Sequence, residues 1–272
     1  MDTPTAPEDP TNSIDVAVSE PRPGTVSLRW TFTPLEYFEQ TFEVARPDYR
    51  MTIGSGTVEA SIDAKTYEAT ADMRKKVHEE LNARFLSAQL RNHRPYQLSS
   101  ALVVREGGRR EFTLDAASGK YLMVAMQGRL DVLAIDDATG KVIVDTKRDR
   151  IEKDNAFAEL AARHADDPIV QALLKSYGEA VKDPADELTH LYEIRDALRE
   201  EFGGSKKAKV ALDIGKTKWS RFGEITSELP LNQSRHRGNN VGALRDATQA
   251  ELDEARDFAR SMIEAYLRWL PS

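Results

Sequence analysis

The chain has 272 residues, of which 40% are hydrophobic and 31% charged, and it carries a formal net charge of −7 with no cysteine. These values are typical of one large globular domain or two small ones, and they exclude disulfides, thiolate catalysis and cysteine-ligated zinc. No apolar run approaches the ~20 residues of a membrane helix, and no basic-then-apolar leader opens the sequence. We therefore expect a cytoplasmic protein that does not contact membranes.

The first 23 residues differ from the rest of the chain in composition. They contain five prolines and few apolar side chains. Because such a segment buries too little apolar surface to offset the entropy lost on ordering, we predict that residues 1–23 form a flexible tail.

Residues 24–149 alternate apolar and polar side chains in several short runs, which predicts β-strands. The apolar members of the first three runs are Val26, Leu28, Trp30 and Phe32, then Phe42 and Val44, then Val58, Ala60 and Ile62. Helical spacing predicts one long helix over about residues 66–90. Further strands are predicted over 98–104, 110–114, 121–126, 130–135 and 141–145, with a hairpin turn at Gly107-Gly108. We therefore predict an α+β domain over 24–149 with a mainly antiparallel sheet.

Residues 150–272 carry the signals of helices rather than strands. Asp167-Pro168 and Asp183-Pro184 each join an N-cap acceptor to a proline suited to the first helical position. The second pair is followed by an apolar stripe that ends at two glycines. Thr248 and Glu251 have the spacing of a capping box before the last amphipathic helix. We predict a helical bundle over 150–272.

Two neighbouring predicted strands near the end of the sheet carry charged residues in a spacing found in nucleases. Asp131 follows Gly128-Arg129-Leu130, and Val144-Asp145-Thr146-Lys147 lies on the next strand. These residues resemble the core of the PD-(D/E)xK nucleases. The resemblance implies that Asp131 and Asp145 bind Mg²⁺ and that Lys147 is a catalytic residue that assists the attacking water. The alternative is a surface hairpin whose polar side chains face solvent, and it needs no cofactor.

Arginine and histidine are concentrated just before the last helix, in Asn232-Gln233-Ser234-Arg235-His236-Arg237-Gly238-Asn239-Asn240. Together with the helix that contains Leu188 to Leu198, this element resembles the HEPN superfamily over about residues 184–270. The resemblance implies a helical domain of the kind found in bacterial RNases, toxins, phage-defence proteins and inactive relatives, often as a homodimer. It also implies that the loop lies close to the helix that contains Tyr192 and Arg195.

Arg235 and His236 form the candidate catalytic pair under this resemblance. The arginine would stabilise negative charge on a scissile phosphate, and the histidine would transfer protons near neutral pH. Active members carry Arg-x(4–6)-His, but the positions that this spacing requires hold Leu229, Pro230 and Leu231. The alternative is a structural pair that binds loop carbonyls or a helix end.

Residues 203–247 are basic within an acidic chain, with nine lysines and arginines against four acidic residues. A local excess of positive charge can contact phosphates. The candidate nucleic-acid-binding residues are Lys216, Lys218, Arg221 and Arg237. The alternative is a linker whose charged side chains are merely solvated.

These observations leave three functional hypotheses. The first is a HEPN-like module that binds RNA or a protein partner without standard HEPN RNase activity, for which the resemblance implies a phage-defence or toxin setting. The second is a Mg²⁺-dependent nuclease that uses the hairpin over 128–147. The third is a purely structural or interaction protein, so the sequence leaves open whether the chain is an enzyme.

Overall fold

The computed structural model describes residues 23–105, 110–112, 133–135, 142–240 and 242–271. Over these residues the protein is α+β, because an antiparallel sheet is followed by a group of helices. The tail predicted over 1–23 lies outside the described residues except for its last position, and so do the strand predicted over 121–126, the Gly107-Gly108 turn and Asp131. None of the described helices is long and apolar enough to cross a membrane.

Seven of the described strands form one antiparallel sheet in the order β2-β3-β4-β1-β6-β7, with β5 paired to the end of β1. Their bounds are Thr25–Thr33 (β1), Phe42–Ala45 (β2), Tyr49–Gly54 (β3), Thr57–Asp63 (β4), Gln97–Leu98 (β5), Leu102–Val104 (β6) and Arg110–Phe112 (β7). A separate two-stranded sheet joins Leu133–Ile135 (β8) to Val142–Asp145 (β9). The chain passes directly from β9 into the helices.

The alternation predicted for the first strand places its apolar side chains in the core of the sheet. Leu28, Trp30 and Phe32 lie on one face of β1 and are at most 2% exposed. Strand β4 pairs with β1 along seven residues, with Val58 opposite Trp30 and Ala60 opposite Leu28. These buried cross-strand pairs define the register, because a shift by one residue would turn every apolar side chain towards solvent.

Strand β3 is missing from the sequence prediction. It pairs with β2 on one side and with β4 on the other. Tyr49, Met51 and Ile53 are buried and alternate with exposed side chains. This alternation is the signal that could have predicted the strand.

Two helices replace the single long helix predicted over residues 66–90. Helix α1 spans Ala64–Ala69, and α2 spans Met73–Asn92. The Asp63 carboxylate caps α1, since it accepts two backbone N–H groups of the first turn at 3.0 and 3.1 Å. The chain between the helices is extended at Thr70 and left-handed at Asp72, where φ is 61°. The single helix predicted over residues 66–90 is therefore interrupted between α1 and α2.

Six further α-helices follow within the described residues. They span Thr146–Arg163 (α3), Pro168–Lys182 (α4), Glu187–Glu201 (α5), Ser205–Ala211 (α6), Lys216–Gly223 (α7) and Gln249–Trp269 (α8). A π-helical turn over Glu224–Glu228 continues α7, and a 3₁₀ turn over Arg237–Asn240 precedes α8. The segment interpreted from the sequence as a linker, residues 203–247, thus contains two helices of its own.

The helix caps agree with the sequence at two of the three predicted positions. Asp167 accepts two backbone N–H groups at 2.8 and 2.9 Å at the start of α4, and Thr248 and Glu251 form the capping box of α8. The prediction that Asp183 caps α5 is wrong. Asp183 follows the last residue of α4 and donates its N–H to the Glu179 carbonyl, so that α5 begins four residues later, behind Asp186.

Helix α2 connects the sheet to the helical part. Phe85 is fully buried in the hydrophobic cluster of the sheet, whereas Leu90 on the same helix belongs to the cluster formed by the later helices. Arg84, which precedes Phe85, pairs with Glu80 on its own helix and with Glu159 of α3. The domain boundary predicted at residues 149–150 lies within α3. Helix α2 packs both against the sheet that precedes this boundary and against the helices that follow it.

Candidate nucleic-acid interface

The basic segment is held on the protein by the apolar sides of α6 and α7. The chain leaves α5 through Gly203 and Gly204, whose φ values of 63° and 129° are readily adopted only by glycine. Ala208 of α6 is fully buried, and Trp219 and Phe222 of α7 are each 2% exposed. Both short helices therefore have fixed positions, and their polar sides face solvent.

Five lysines on α6 and α7 form what we call the lysine surface: Lys206, Lys207, Lys209, Lys216 and Lys218. All are exposed except Lys209, which is half-buried. None of the five ammonium groups makes a hydrogen bond or ion pair with a residue in the described part of the chain. Asp213 is the only acidic residue in the sequence between Ser205 and Arg221. The positive charge of this surface is thus not neutralised locally.

The arginines of the same region are bound to carboxylates. Arg221 pairs with Glu224 at 3.0 Å and with Glu254 at 3.3 Å, and the hydrogen bond to Glu224 is the main cause that raises the pKa of Arg221. Arg237 pairs with Asp186 in front of α5, which raises the pKa of Arg237. Of the four residues predicted to bind nucleic acid, Lys216 and Lys218 are therefore available, whereas Arg221 and Arg237 already have partners.

A third arginine in the region, Arg245, pairs with Glu251 at 2.7 Å. The hydrogen bond from Arg245, aided by Thr248, lowers the pKa of Glu251 to about 2. Glu251 therefore stays ionised at neutral pH and serves the capping box of α8.

The loop before α8 lies against α5, as the HEPN resemblance implies. The Thr189 N–H of α5 donates to the Gln233 carbonyl at 3.2 Å, and the Arg235 N–H donates to the Thr226 carbonyl at 3.1 Å. The Ser234 side chain is fully buried and donates to the Leu231 carbonyl at 3.0 Å. Backbone hydrogen bonds therefore fix the path of this loop independently of its charged side chains.

Arg235 and His236 have different surroundings although they are neighbours in the chain. The Arg235 guanidinium pairs with Asp196 at 2.7 Å, and its Cζ lies 4.8 Å from the centre of the Tyr192 ring. The His236 ring is exposed and makes no hydrogen bond within the described residues. The charge of Arg235 is thus engaged by a carboxylate rather than presented beside a free imidazole.

The predicted nuclease residues are described only in part. Asp145 is the last residue of β9 and caps α3, because its carboxylate accepts the Arg148 N–H at 2.9 Å. Lys147 is the second residue of α3 rather than part of a strand, which differs from the arrangement that the nuclease resemblance implies. Within the described residues no three His, Asp or Glu side chains come together as a metal site. Because Asp131 lies outside this part, joint Mg²⁺ binding with Asp145 stays a prediction.

Two neighbouring clefts lie beside the N-terminal half of α3. Asp145 and Lys147 line a surface cleft of about 300 Å³. Ile151 and Asn155 separate it from a smaller, mainly apolar cleft of about 70 Å³ between α2, α3 and residues 37–42. Most polar groups of the smaller cleft already have partners inside the protein; Arg84, for example, is bound to two carboxylates. The smaller cleft therefore offers few free donors to a ligand.

A cluster that the sequence does not reveal lies where α5 meets α7. The Arg195 guanidinium lies 5.5 Å from the centre of the Tyr192 ring and 5.3 Å from that of Trp219. Gly223 lies directly beneath it, where a Cβ atom would come within 1.9 Å of Nη1. Tyr192 and Arg195 are neighbours on α5, and Trp219 and Gly223 are neighbours on α7, but the two pairs are more than 20 residues apart in the chain, so no local spacing connects them.

The chain matches no family model, and no curated protein or solved structure compared with it shows a significant match. The comparisons therefore add no evidence about either resemblance.

Proposed function

We propose that this protein is a HEPN-like module that binds RNA through the lysine surface of α6 and α7 and does not cleave it by the Arg–His mechanism. The observation that carries the proposal is the presence of five lysines without local counter-ions on helices whose apolar sides are buried. A group of unpaired cations in fixed positions attracts phosphates, because their binding releases the counter-ions condensed on the nucleic acid.

The arrangement of Arg235 and His236 supports binding rather than cleavage. The Arg235 guanidinium forms an ion pair with Asp196. The residues five to seven positions before His236 are Leu229, Pro230 and Leu231. No arginine with a free guanidinium is thus available at the required spacing to stabilise charge on a scissile phosphate. A phage-defence or toxin setting follows from the HEPN resemblance alone.

The test compares two variants that each lose three positive charges. The first replaces Lys206, Lys216 and Lys218 by glutamine, and the matched control replaces Lys65, Lys153 and Lys175, which are also exposed and free of ion pairs within the described residues. Binding of a short single-stranded RNA of mixed sequence is measured by fluorescence anisotropy over a range of salt concentrations. Circular dichroism and thermal melting are used to check that both variants remain folded.

We expect the unmodified chain to bind RNA with an affinity that falls steeply between about 50 and 200 mM salt. The first variant should lose at least about tenfold in affinity, and the slope of log K against log salt should decrease by about 2, because each single-strand phosphate contact contributes ~0.7. The control should change affinity less than about twofold. Equal losses in the two variants, or no RNA binding by the unmodified chain at low salt, would contradict the proposal.

A further inference from the structure

The charged residues Arg195, Asp196 and Arg199 of α5 differ in the partners of their side chains: some form ion pairs, and one contacts aromatic rings. Asp196 pairs with Arg199 of the same helix at 3.5 Å and with Arg235 of the loop at 2.7 Å. The guanidinium of Arg195, the neighbour of Asp196, makes no hydrogen bond or ion pair with any residue in the described part of the chain. Its contacts are instead with the aromatic rings of Tyr192 and Trp219.

The two rings and a glycine hold the Arg195 guanidinium in place. The Tyr192 ring contacts the guanidinium groups of both Arg195 and Arg235, and Arg195 also contacts Trp219. The absence of a side chain at Gly223 makes room for the guanidinium, since a Cβ atom there would lie 1.9 Å from Nη1 and 2.9 Å from Cζ. The rings lie over the guanidinium and Nη1 lies against Gly223, so the N–H groups left for a ligand are those that point away from the glycine.

A second donor without an acceptor lies beside Arg195. Trp219 is 2% exposed, and its indole Nε1 is buried and has no hydrogen-bond partner in the described residues. Buried donors nearly always have a partner, because leaving one unsatisfied is costly. The half-buried Arg195 and the indole are thus two groups in contact that both have unused N–H donors and no acceptor from the protein.

We infer that Arg195 is a binding site for a single phosphoryl group. An anion with several oxygens is the ligand class that a pre-positioned guanidinium edge recognises, because two parallel N–H groups match two of its oxygens. Lys216 precedes Trp219 by three residues on α7 and is therefore its neighbour on the helix surface. The site thus adjoins the lysine surface, and a phosphate is favoured over a carboxylate by the additional positive charge there.

The phosphoryl group can belong to an RNA backbone or to a free phosphate compound. The first source rests on the proposed function, whereas the second does not. The experiment uses inorganic phosphate and a single-stranded RNA as separate probes of the full chain. Phosphate binding is followed by broadening of the ³¹P resonance and by the rise in melting temperature that a ligand of the folded state produces.

Two variants remove the site in different ways. Arg195→Gln removes the charge, and Gly223→Ala displaces the guanidinium while leaving Arg195 in the sequence. Arg199→Gln is the matched control, because Arg199 is an exposed arginine of the same helix. We expect the first two variants to weaken phosphate binding at least about tenfold and the control to change it less than about twofold.

The outcomes separate this inference from the proposed function. Loss of both phosphate and RNA binding in Arg195→Gln assigns the site to the RNA backbone, and loss of phosphate binding alone assigns it to a free phosphate compound. Phosphate binding that survives in both Arg195→Gln and Gly223→Ala overturns the inference, even if the triple lysine variant still loses RNA. Conversely, RNA binding that is indifferent to the lysines overturns the proposed function and leaves a phosphate site at Arg195 intact.

Discussion

Two groups of charged side chains in this protein differ in how their charges are balanced. At the junction of the sheet and α3, Arg46 and Arg84 both contact Glu80 and Glu159, with N···O distances of 2.6 to 2.8 Å. We call this group the junction cluster. On the lysine surface, by contrast, none of the five ammonium groups has a carboxylate partner within the described residues.

The difference follows from burial and from the chemistry of the two cations. Side chains of Glu80 and Arg84 are each 10% exposed, and a buried charge must be paired because its desolvation is costly. Arginine suits such sites because it is weakly hydrated and forms several hydrogen bonds in a plane. The lysines remain hydrated and need no partner, so their charges stay available to ligands, whereas the paired charges of the junction cluster serve the fold.

Glu80 is the centre of the junction cluster. Its carboxylate accepts hydrogen bonds from Tyr49, Arg84 and Arg46. Burial alone would raise the pKa of Glu80, but these hydrogen bonds outweigh it, and the pKa is lower than that of a free glutamate. Burial and the same carboxylate raise the pKa of the Tyr49 hydroxyl. Glu80 is therefore ionised at neutral pH and balances two guanidinium groups.

The largest effect is expected from Glu80→Gln. This change removes the charge but not the volume, and it leaves Arg46 and Arg84 with only Glu159 as a carboxylate partner in the cluster. Breaking a buried ion pair by removing one partner typically costs ~3–5 kcal/mol, and we expect a loss at the lower end, about 3 kcal/mol, because Glu159 remains. Urea unfolding monitored by circular dichroism measures the free energy of unfolding.

The control for this prediction is the preceding residue. Glu79 pairs with Lys75 across one helical turn at 3.7 Å and is more exposed. Glu79→Gln should cost less than about 1 kcal/mol, because exposed ion pairs contribute little. If the two variants lost the same stability, the distinction between a structural cluster and exposed charges would fail.

The sequence predicts those parts of the fold that depend on neighbours in the chain. Alternation is sufficient for β1 and β4, and the capping box of Thr248 and Glu251 is local. The pairing of Arg46 with Glu159 is not predictable in this way, since the two residues are 113 positions apart. The break between α1 and α2 was also missed, because it depends on the left-handed conformation of Asp72, a residue that helices tolerate.

The candidate site shows the same limit. The sequence identifies a basic segment that contains Lys216 and Lys218, and their binding to nucleic acid stays a prediction. It does not reveal that Arg221 is bound by Glu254 of α8, because that pairing depends on tertiary packing. Nor does it connect Arg195 to Gly223, which become neighbours only when α5 packs beside α7.

A second prediction concerns His93, a half-buried base that is kept neutral. His93 follows α2, and its side chain is 21% exposed. Burial, with the nearby positive charges of Arg256 and Arg260, lowers the pKa of His93 to about 3. Glu187 lies 3.5 Å from the ring, but it is bound to Arg256 by two hydrogen bonds, so its charge is already balanced.

This shift makes the stability dependent on pH. The unfolded chain binds a proton at His93 below pH ~6.5 and the folded chain does not, so the stabilising contribution is present above that pH and is lost as the pH falls towards 3. Between pH 6.5 and 4.5 we expect His93 to account for a loss of about 2 kcal/mol. His93→Asn, which tolerates the left-handed backbone at this position, should remove that part of the pH dependence.

Free energies of unfolding at several pH values, measured on both proteins, isolate the histidine from the carboxylates that titrate in the same range. The difference in the free energy of unfolding between the unmodified chain and His93→Asn should narrow or reverse steadily as the pH is lowered. A difference that stays constant from pH 7 to pH 4.5 would show that His93 is not held neutral. In that case the junction cluster would be the better example of how this fold stabilises a buried ionisable group.

The smallest effect on stability is expected from replacing Arg235 and His236 together by alanine. Arg235 keeps 45% of its side chain exposed although it pairs with Asp196, and the His236 ring has no partner among the described residues. Exposed pairs contribute at most about 1 kcal/mol, and the backbone bonds of Ser234 and Gln233 hold the loop without these side chains. We therefore expect the double variant to lose less than about 1 kcal/mol.

The double variant should also bind RNA more tightly than the triple lysine variant does, because the charge of Arg235 is already balanced by Asp196. Melting temperature and RNA affinity, measured on the same sample, test both statements. A larger loss of RNA affinity than in the lysine variant would place the binding surface at the loop and not on α6 and α7.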